Sequence, residues 1–548
     1  MGKEYRVFGP PGTGKTTFLT KQVKNAVKKH GSESVIVASF TNASAKEIGS
    51  RELPLDDRQV GTLHSHCYRA LDYPEVAEGN IKDFNKFAPQ YKLSTKEKKD
   101  IDNPNLVDNT ESKADQLFLK YQNLRARMIE KKLWPTSISN FAEKWEKWKK
   151  VRGFVDFTDM ISISLEEIDG PTGCPYIAFF DEAQDFTPLE LALVRKWSEV
   201  MEWIVICGDD DQNLYEFKGA KPEAFLDPPI PDDQVIILNQ SYRVPKKIQK
   251  LANNWIKQLA VRKEKEYKPR DFEGELRDLK KGNWKNPDPI FQDSEKYLQQ
   301  GKTVMFLTTC SYMLDNIKAG LRERGIPFHN PYRKKRGDWN PLSSTRGTSS
   351  VERLLAYYRI SNKVYEDQAR MWTLDDLDKF ITLIRSKNVL HRGAKTQLSN
   401  LILNFDDDEN IDITKPLSIN RLLDFFKEEA LMKLLDLDID FVEQNILGSR
   451  KKALDFPFKI IKNYGPEKLK EKPKIIIGTI HSIKGGEADV VYLFPDLSSK
   501  GIKQWLKTKG KDAIIRQFYV GMTRARESLI LCNPATNYRV PLNSKMFK

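Results

Sequence analysis

The chain has 548 residues, with 90 Lys and Arg against 76 Asp and Glu, a formal charge of +14. That length exceeds one hydrophobic core, so several domains are expected, and the positive balance favours an extended polyanion as partner. The five cysteines (Cys67, Cys174, Cys207, Cys310, Cys532) form no C-x-x-C pair and no apolar run approaches membrane-spanning length. A zinc ribbon, a disulfide framework and a membrane partner are therefore not expected, and a cytoplasmic protein is.

In chain order, Tyr5–Phe8 reads as a short buried strand. It runs into Gly9-Pro10-Pro11-Gly12-Thr13-Gly14-Lys15-Thr16, a G-x-x-x-x-G-K-T loop that opens a helical pattern. In that context glycines let backbone N–H groups curl around phosphates at a helix N-terminus whose dipole favours anions. Lys15 would neutralise the β and γ oxygens, the Thr16 hydroxyl would ligate Mg²⁺, and Thr17 completes the cradle.

Val35–Phe40 is a second strand, and the stretch from about Leu71 to Val155 is charged and helical. Trp145 and Trp148, three apart among lysines, share one helix face there; packing against a neighbouring helix is the ordinary reading, and a nucleic-acid platform the alternative. Tyr176–Phe180 then ends in Asp181-Glu182-Ala183-Gln184-Asp185, carboxylates at the C-terminal tip of a buried strand, where α/β sheets bind ligands. Asp181 would face the metal, and Glu182 would orient or deprotonate the water attacking a γ-phosphate. Trp203–Cys207 completes the first series.

A second series, Val235–Leu238, Val304–Leu307, Ile475–Thr479, Val490–Phe494 and Ser528–Cys532, predicts a second α/β region. The polar segment Pro331–Ser350, with the basic cluster Arg333, Lys334, Lys335 and Arg336, opens a mostly helical interruption that includes the acidic loop Asp406–Asp412. The fold expected is α/β, with two parallel sheets and a mainly helical insertion in each.

After Trp203–Cys207 comes Gly208-Asp-Asp-Asp-Gln-Asn-Leu-Tyr-Glu-Phe-Lys-Gly-Ala220, and here the chain resembles the UvrD/Rep branch of superfamily-one (subgroup A) DNA helicases. Further motifs of that family are matched in order by Ala38–Ala45, Gly61–Ser65, Asp156–Asp159, Asn239–Arg243, Gly478–Glu487 and Tyr519–Ala525. The resemblance implies two RecA-like P-loop motor domains. Their bounds would be 1–70 with 156–230 for the first, and 231–335 with 472–548 for the second. Residues 71–155 and 336–471 would be the insertions.

Position by position, the resemblance implies that Gln212 senses the γ-phosphate and that Arg243 and Arg524 reach it from the second domain. Tyr242 would stack on adenine and Glu487 hold the ribose. Phe40, Tyr215 and Phe217 match motifs that line the DNA path, Asn42 lies in one of them, and Thr62, His64 and His481 match phosphate-contacting positions. Cationic contacts with aromatic faces are what sequence-independent binding of a single strand needs. ATP and Mg²⁺ are the expected cofactors, and single-stranded DNA with ss/ds junctions the expected partner of a monomer moving 3′ to 5′. Two alternatives stay open at this point. One is an ATP-gated module that binds single strands or strips proteins without unwinding, and the other is a superfamily-one helicase moving 5′ to 3′ on RNA, a branch in which the GPPGTGKT spelling is more typical.

Overall fold

The computed structural model describes residues 2–40, 53–95, 112–332, 340–343, 348–359, 361–365, 368–370, 372–403, 416–508 and 510–546. They form two compact units. The first comprises Met1–Trp284, Gln292–Met313 and Gly478–Lys548; the second comprises Lys285–Phe291 and Leu314–Ile477.

The first unit holds a short parallel pair, Gln240–Pro245 with Lys268–Arg270, and two large parallel sheets. In one, the strands run in the order Val60–Thr62, Val35–Ser39, Ile177–Asp181, Trp203–Gly208, Lys3–Phe8 and Val235–Ile237. Its central strands are runs of Val, Ile, Phe and Ala buried on both faces, the pattern of a parallel sheet covered by helices on each side. The helix Lys15–His30 buries Leu19, Thr20, Val23 and Ala26, and ends on Lys28, Lys29 and His30, cations that suit a helix C-terminus. The other sheet orders Val304–Thr308, Ala488–Leu493, Ala525–Leu531 and Glu275–Asp278, again all parallel.

One strand falls elsewhere than its place in the series predicts. Val235–Ile237 pairs with Arg6–Phe8 and closes the edge of the first sheet, so it does not begin the second. Apolar composition marks a strand but does not say which sheet supplies its hydrogen bonds. Two further strands, Val60–Thr62 and Glu275–Asp278, carry no apolar run long enough to read.

The helices Ile81–Phe87, Lys113–Ala126 and Thr136–Arg152 enclose a separate aromatic core in which Trp145 and Trp148 are fully buried beside Phe84, Phe141 and Tyr121. The packing reading of the two tryptophans is the one realised. Asp156 explains the short acidic motif in physical terms. It caps the helix Phe157–Glu167 in a reciprocal box with Asp159. It also accepts from Trp145 Nε1 at 2.9 Å and pairs with Lys149 at 2.7 Å and Arg125 at 3.0 Å. These charge-assisted bonds fix the aromatic helices to the sheet-bearing part of the unit.

The second unit is mainly helical. Tyr357 and Trp372 both stack on Phe380, with centroids 4.8 and 5.9 Å apart, and Phe328–His329 pairs in parallel with the start of Ile475–Thr479. Among the described residues no helix is long and apolar enough to cross a membrane. The basic cluster Arg333–Arg336 and the acidic loop 406–412 lie outside the described residues.

Candidate nucleotide site and aromatic track

Parallel register brings the C-terminal ends of the first sheet's strands level. Phe8 is opposite Gly208 and Ser39 is opposite Asp181, so the loops that follow open on one edge. The phosphate loop leaves Phe8 with Gly9 N–H donating to Gly208 O at 3.1 Å. Gly12 and Gly14 adopt φ of 76° and 77°, a backbone that L side chains rarely take. At Gly12 a Cβ would also lie 2.5 Å from Cβ of Arg243, so the loop accepts the neighbouring segment only because this residue is glycine. Lys15 Nζ donates to Gly9 O at 2.6 Å and Thr13 Oγ1 to Pro10 O at 2.8 Å. Thr16 and Thr17 open the helix behind them.

Asp181 is buried at its strand tip and accepts the N–H of Glu182 at 2.9 Å. Glu182 itself sits in the left-handed region at φ 55°, an uncommon conformation for a non-glycine residue. The next strand end contributes Asp209, which accepts from Gln212 Nε2 at 2.7 Å. Gln212 Oε1 in turn accepts from Arg524 at 3.0 Å, joining the first sheet's loops to an element of the second.

Arg524 is 2% exposed and donates otherwise to Val520 O, Gly486 O and Thr523 Oγ1. Among the described residues no carboxylate forms an ion pair with it. Burial, and then the charge of Arg243, press its guanidinium below the ordinary arginine range to about 9, which leaves it cationic at neutral pH. A buried cation held by neutral acceptors is a costly arrangement that an anion would relieve.

Arg243 and Glu487 form an ion pair at 2.5 Å, with Arg526 on the far carboxylate oxygen at 3.3 Å. The segment carrying Arg243 is tied to the phosphate loop: Ser241 Oγ and Tyr267 Oη donate to Pro11 O at 2.9 and 3.0 Å, and Tyr242 N–H donates to Gly12 O at 2.8 Å. The Tyr242 ring stands 72% exposed, a flat apolar face beside the loop.

The aromatic residues also converge. Phe40 and Phe217 flank Tyr215 at centroid distances of 4.9 and 5.9 Å, with Lys218 Nζ within 5.9 Å of all three rings. Phe217 is 37% exposed, whereas Tyr215 and His481 are buried. Buried as they are, Tyr215 and His481 support the cluster from within. His64 approaches Glu190 at 3.7 Å, and the Thr62 hydroxyl accepts from Ser65 N–H at 3.2 Å as a helix cap. Asn42 lies outside the described residues.

Burial presses the His481 imidazole down to about 3, with Lys484 and Lys218 adding to the effect, and burial together with Arg69 presses His66 down to about 4. Both are neutral when folded. Between the free-histidine value of 6.5 and about 4 the unfolded chain binds protons that the folded one refuses, so the stability these residues contribute is full above that window and lost as pH falls through it. Burial of Glu78 and Asp210 raises their carboxyls to about 7 and about 6 and works in the opposite sense. The difference between proteins is therefore the quantity to read. A His66→Gln, His481→Gln variant, less stable than wild type at pH 7 in thermal melts, should show that gap narrowing by pH 4.

The sequence reading missed several cations at this site. Lys265, with ion pairs to Asp209 at 3.0 Å and Asp211 at 3.1 Å, and Arg262, on Asp211 at 2.7 Å, neutralise the acidic triplet Asp209–Asp211 that could otherwise be taken for a metal site. Arg516 donates to Asp210 O at 3.1 Å and Glu216 at 2.7 Å. Lys484 pairs with Glu182 at 3.2 Å and more closely with Asp185. The one available signal was a local excess of aspartate, which requires cations from elsewhere in the chain once buried.

The chain matches the UvrD/REP helicase N-terminal domain over residues 1–228 and the UvrD-like helicase C-terminal domain over residues 357–534. It is 22% identical to a protein of Mycoplasma capricolum subsp. capricolum named "Probable DNA helicase II homolog", over 100% of this chain and 84% of that one. It is 24% identical to the ATP-dependent DNA helicase Rep of Buchnera aphidicola, over 67% of this chain and 63% of the relative. The figure is 25% for the ATP-dependent DNA helicase PcrA of Bacillus subtilis, over 48% and 39%. With both halves of the family matched in order around the geometry above, the chain belongs to the UvrD/Rep family of ATP-dependent DNA helicases.

Proposed function

We propose that the protein is a monomeric cytoplasmic motor that moves 3′ to 5′ along single-stranded DNA and separates strands at ss/ds junctions, driven by ATP hydrolysis between two motor domains. Residues 1–70 and 156–230 would form the first domain, whose sheet the strand Val235–Ile237 also joins, and the rest of 231–335 with 472–548 the second, with 71–155 and 336–471 inserted. The observation that carries the proposal is Arg524. A buried guanidinium from the second sheet, without a carboxylate partner among the described residues, meets Gln212 beside the loops bearing Lys15, Asp181 and Glu182.

In this reading Gly9–Thr17 cradles the phosphates, Lys15 leaves the Gly9 carbonyl for the β and γ oxygens, and Glu182 orients the attacking water. Arg243 and Arg524 stabilise charge on the transferring phosphoryl group, an effect of about 10³-fold or more in related chemistries. Tyr242 stacks on the base and Glu487 holds the ribose. The oxygens of Thr16 and Asp181 are the hard donors Mg²⁺ prefers, and they would hold it; the ion neutralises phosphate charge when bound. Phe40 and Phe217 offer ring faces to nucleobases, Asn42, Thr62 and His64 contact the strand, and Tyr215 and His481 set the cluster's shape.

The test is ATP turnover with single-stranded DNA, RNA or duplex added, followed by oligonucleotide displacement from 3′- and 5′-tailed duplexes. Stimulation by single-stranded DNA and displacement from the 3′ tail are expected. Preference for the 5′ tail or for RNA would overturn the direction or the substrate. Displacement of bound protein without strand separation would mark a strand-stripping module.

A further inference from the structure

Lys484 lies between the two halves of the proposed site and belongs to neither. Its ammonium is buried, 3.2 Å from Glu182 Oε2 and in a closer ion pair with Asp185. The same Nζ lies 5.4 Å from the centroid of the Tyr215 ring. Asp185 extends the connection, because it also accepts the N–H of Leu214, the residue before Tyr215, at 3.4 Å. One lysine thus touches the carboxylate assigned to water activation, a second carboxylate that grips the aromatic segment, and the central ring of that segment.

The electrostatics make this a divided allegiance. Burial works against the Lys484 charge, and the carboxylates of Asp185 and Glu182 more than offset it, holding the ammonium above the ordinary lysine range. A cation shared by the buried Asp185 carboxylate and the partly exposed Glu182 carboxylate moves between them at little cost, since each position retains one ion pair. A carboxylate that is ion-paired to an ammonium is a weaker base, and its oxygen is turned towards the lysine and away from a water molecule.

We propose that Lys484 is a positioning residue that couples occupancy of the track to hydrolysis. With no strand bound it restrains the Glu182 carboxylate; a base seated on Phe40 and Phe217, which flank Tyr215, shifts the Leu214–Tyr215 segment and Asp185, drawing the ammonium away and freeing Glu182. The proposal rests on the functional reading above and assigns the source of strand-dependent turnover to one ion pair.

Two substitutions should move the coupling in opposite directions. In Lys484→Met, strand-free turnover should rise roughly tenfold, within the range that general-base positioning controls, and the stimulation ratio with oligothymidylate should fall by a similar factor. In Asp185→Asn the lysine keeps one carboxylate partner of the pair, Glu182, so strand-free turnover should fall several-fold and the ratio should grow. The KM for ATP should stay within about twofold in both, because neither side chain is assigned to the nucleotide. A merely structural role would lower basal and stimulated turnover together. Circular dichroism melts identify folded variants, and Lys484→Arg, which keeps the charge, should restore a low basal rate. An unchanged ratio in folded Lys484→Met and Asp185→Asn, with wild type stimulated normally, overturns the coupling alone. Absence of stimulation in wild type overturns the functional reading and this inference with it.

Discussion

Glu182→Gln is expected to lower strand-stimulated kcat by about 10²- to 10⁴-fold, the range supplied by a positioned general base. The KM for ATP should change by only a few-fold, because the phosphate contacts assigned to Gly9–Thr17 lie on another loop. The substitution is nearly isosteric, so the strained left-handed backbone at φ 55° and the bond from Gln184 to this side chain can both persist. What disappears is the negative charge and with it the ion pair to Lys484. Asp181 remains, so binding of the nucleotide with Mg²⁺ is predicted to survive. Steady-state ATPase assays with saturating single-stranded DNA, combined with nucleotide binding measured separately, resolve the two effects. A fall of less than tenfold in kcat would remove Glu182 from the role of base.

The parts of the site that were legible in the sequence are those whose chemistry is local. The phosphate loop is written in consecutive residues because one strand, one turn and one helix build it, and Gly12 and Gly14 do take the positive φ that such a turn needs. Asp181 was legible for the same reason: a buried apolar strand places its last residue at the ligand-binding edge. Contacts between distant segments were not legible from spacing. Nothing near Asp209–Asp211 announces Lys265 and Arg262, which arrive from more than fifty positions further along the chain to neutralise it. Lys484 lies within the Gly478–Glu487 motif, yet its partners Glu182 and Asp185 are about three hundred residues upstream. Val235–Ile237 reads as a strand of the second series yet pairs in the first sheet, because period and composition report burial and not pairing partner. The aromatic residues show the same limit: the motif resemblance puts Phe40, Tyr215 and Phe217 along the expected strand path, while only the three-dimensional arrangement distinguishes the exposed Phe217 from the buried Tyr215.

Arg524→Ala should be as damaging to turnover as the loss of Glu182, by about 10³-fold or more in kcat, since a positioned arginine acts on charge that develops only during phosphoryl transfer. Its surroundings sharpen the expectation. The guanidinium spreads donors over Gln212 Oε1 at 3.0 Å, Val520 O at 2.9 Å and Gly486 O at 3.3 Å, so its plane is fixed by three separate segments. Lysine at this position keeps a charge but offers a compact ammonium that cannot span those acceptors, and Arg524→Lys should therefore recover little of the rate. The fold should suffer less than the chemistry. Removing the side chain leaves acceptors unpaired, but it also removes a buried cation that burial and Arg243 already disfavour. Thermal melts and single-turnover ATP hydrolysis on the same preparations separate the two. If Arg524→Lys turned over ATP at close to the wild-type rate, the fixed fork would be irrelevant and a diffuse positive charge would suffice. If Arg524→Ala did so while folded, the guanidinium would have no part in phosphoryl transfer, and its bond to Gln212 would serve only to pack the two sheets' loops together.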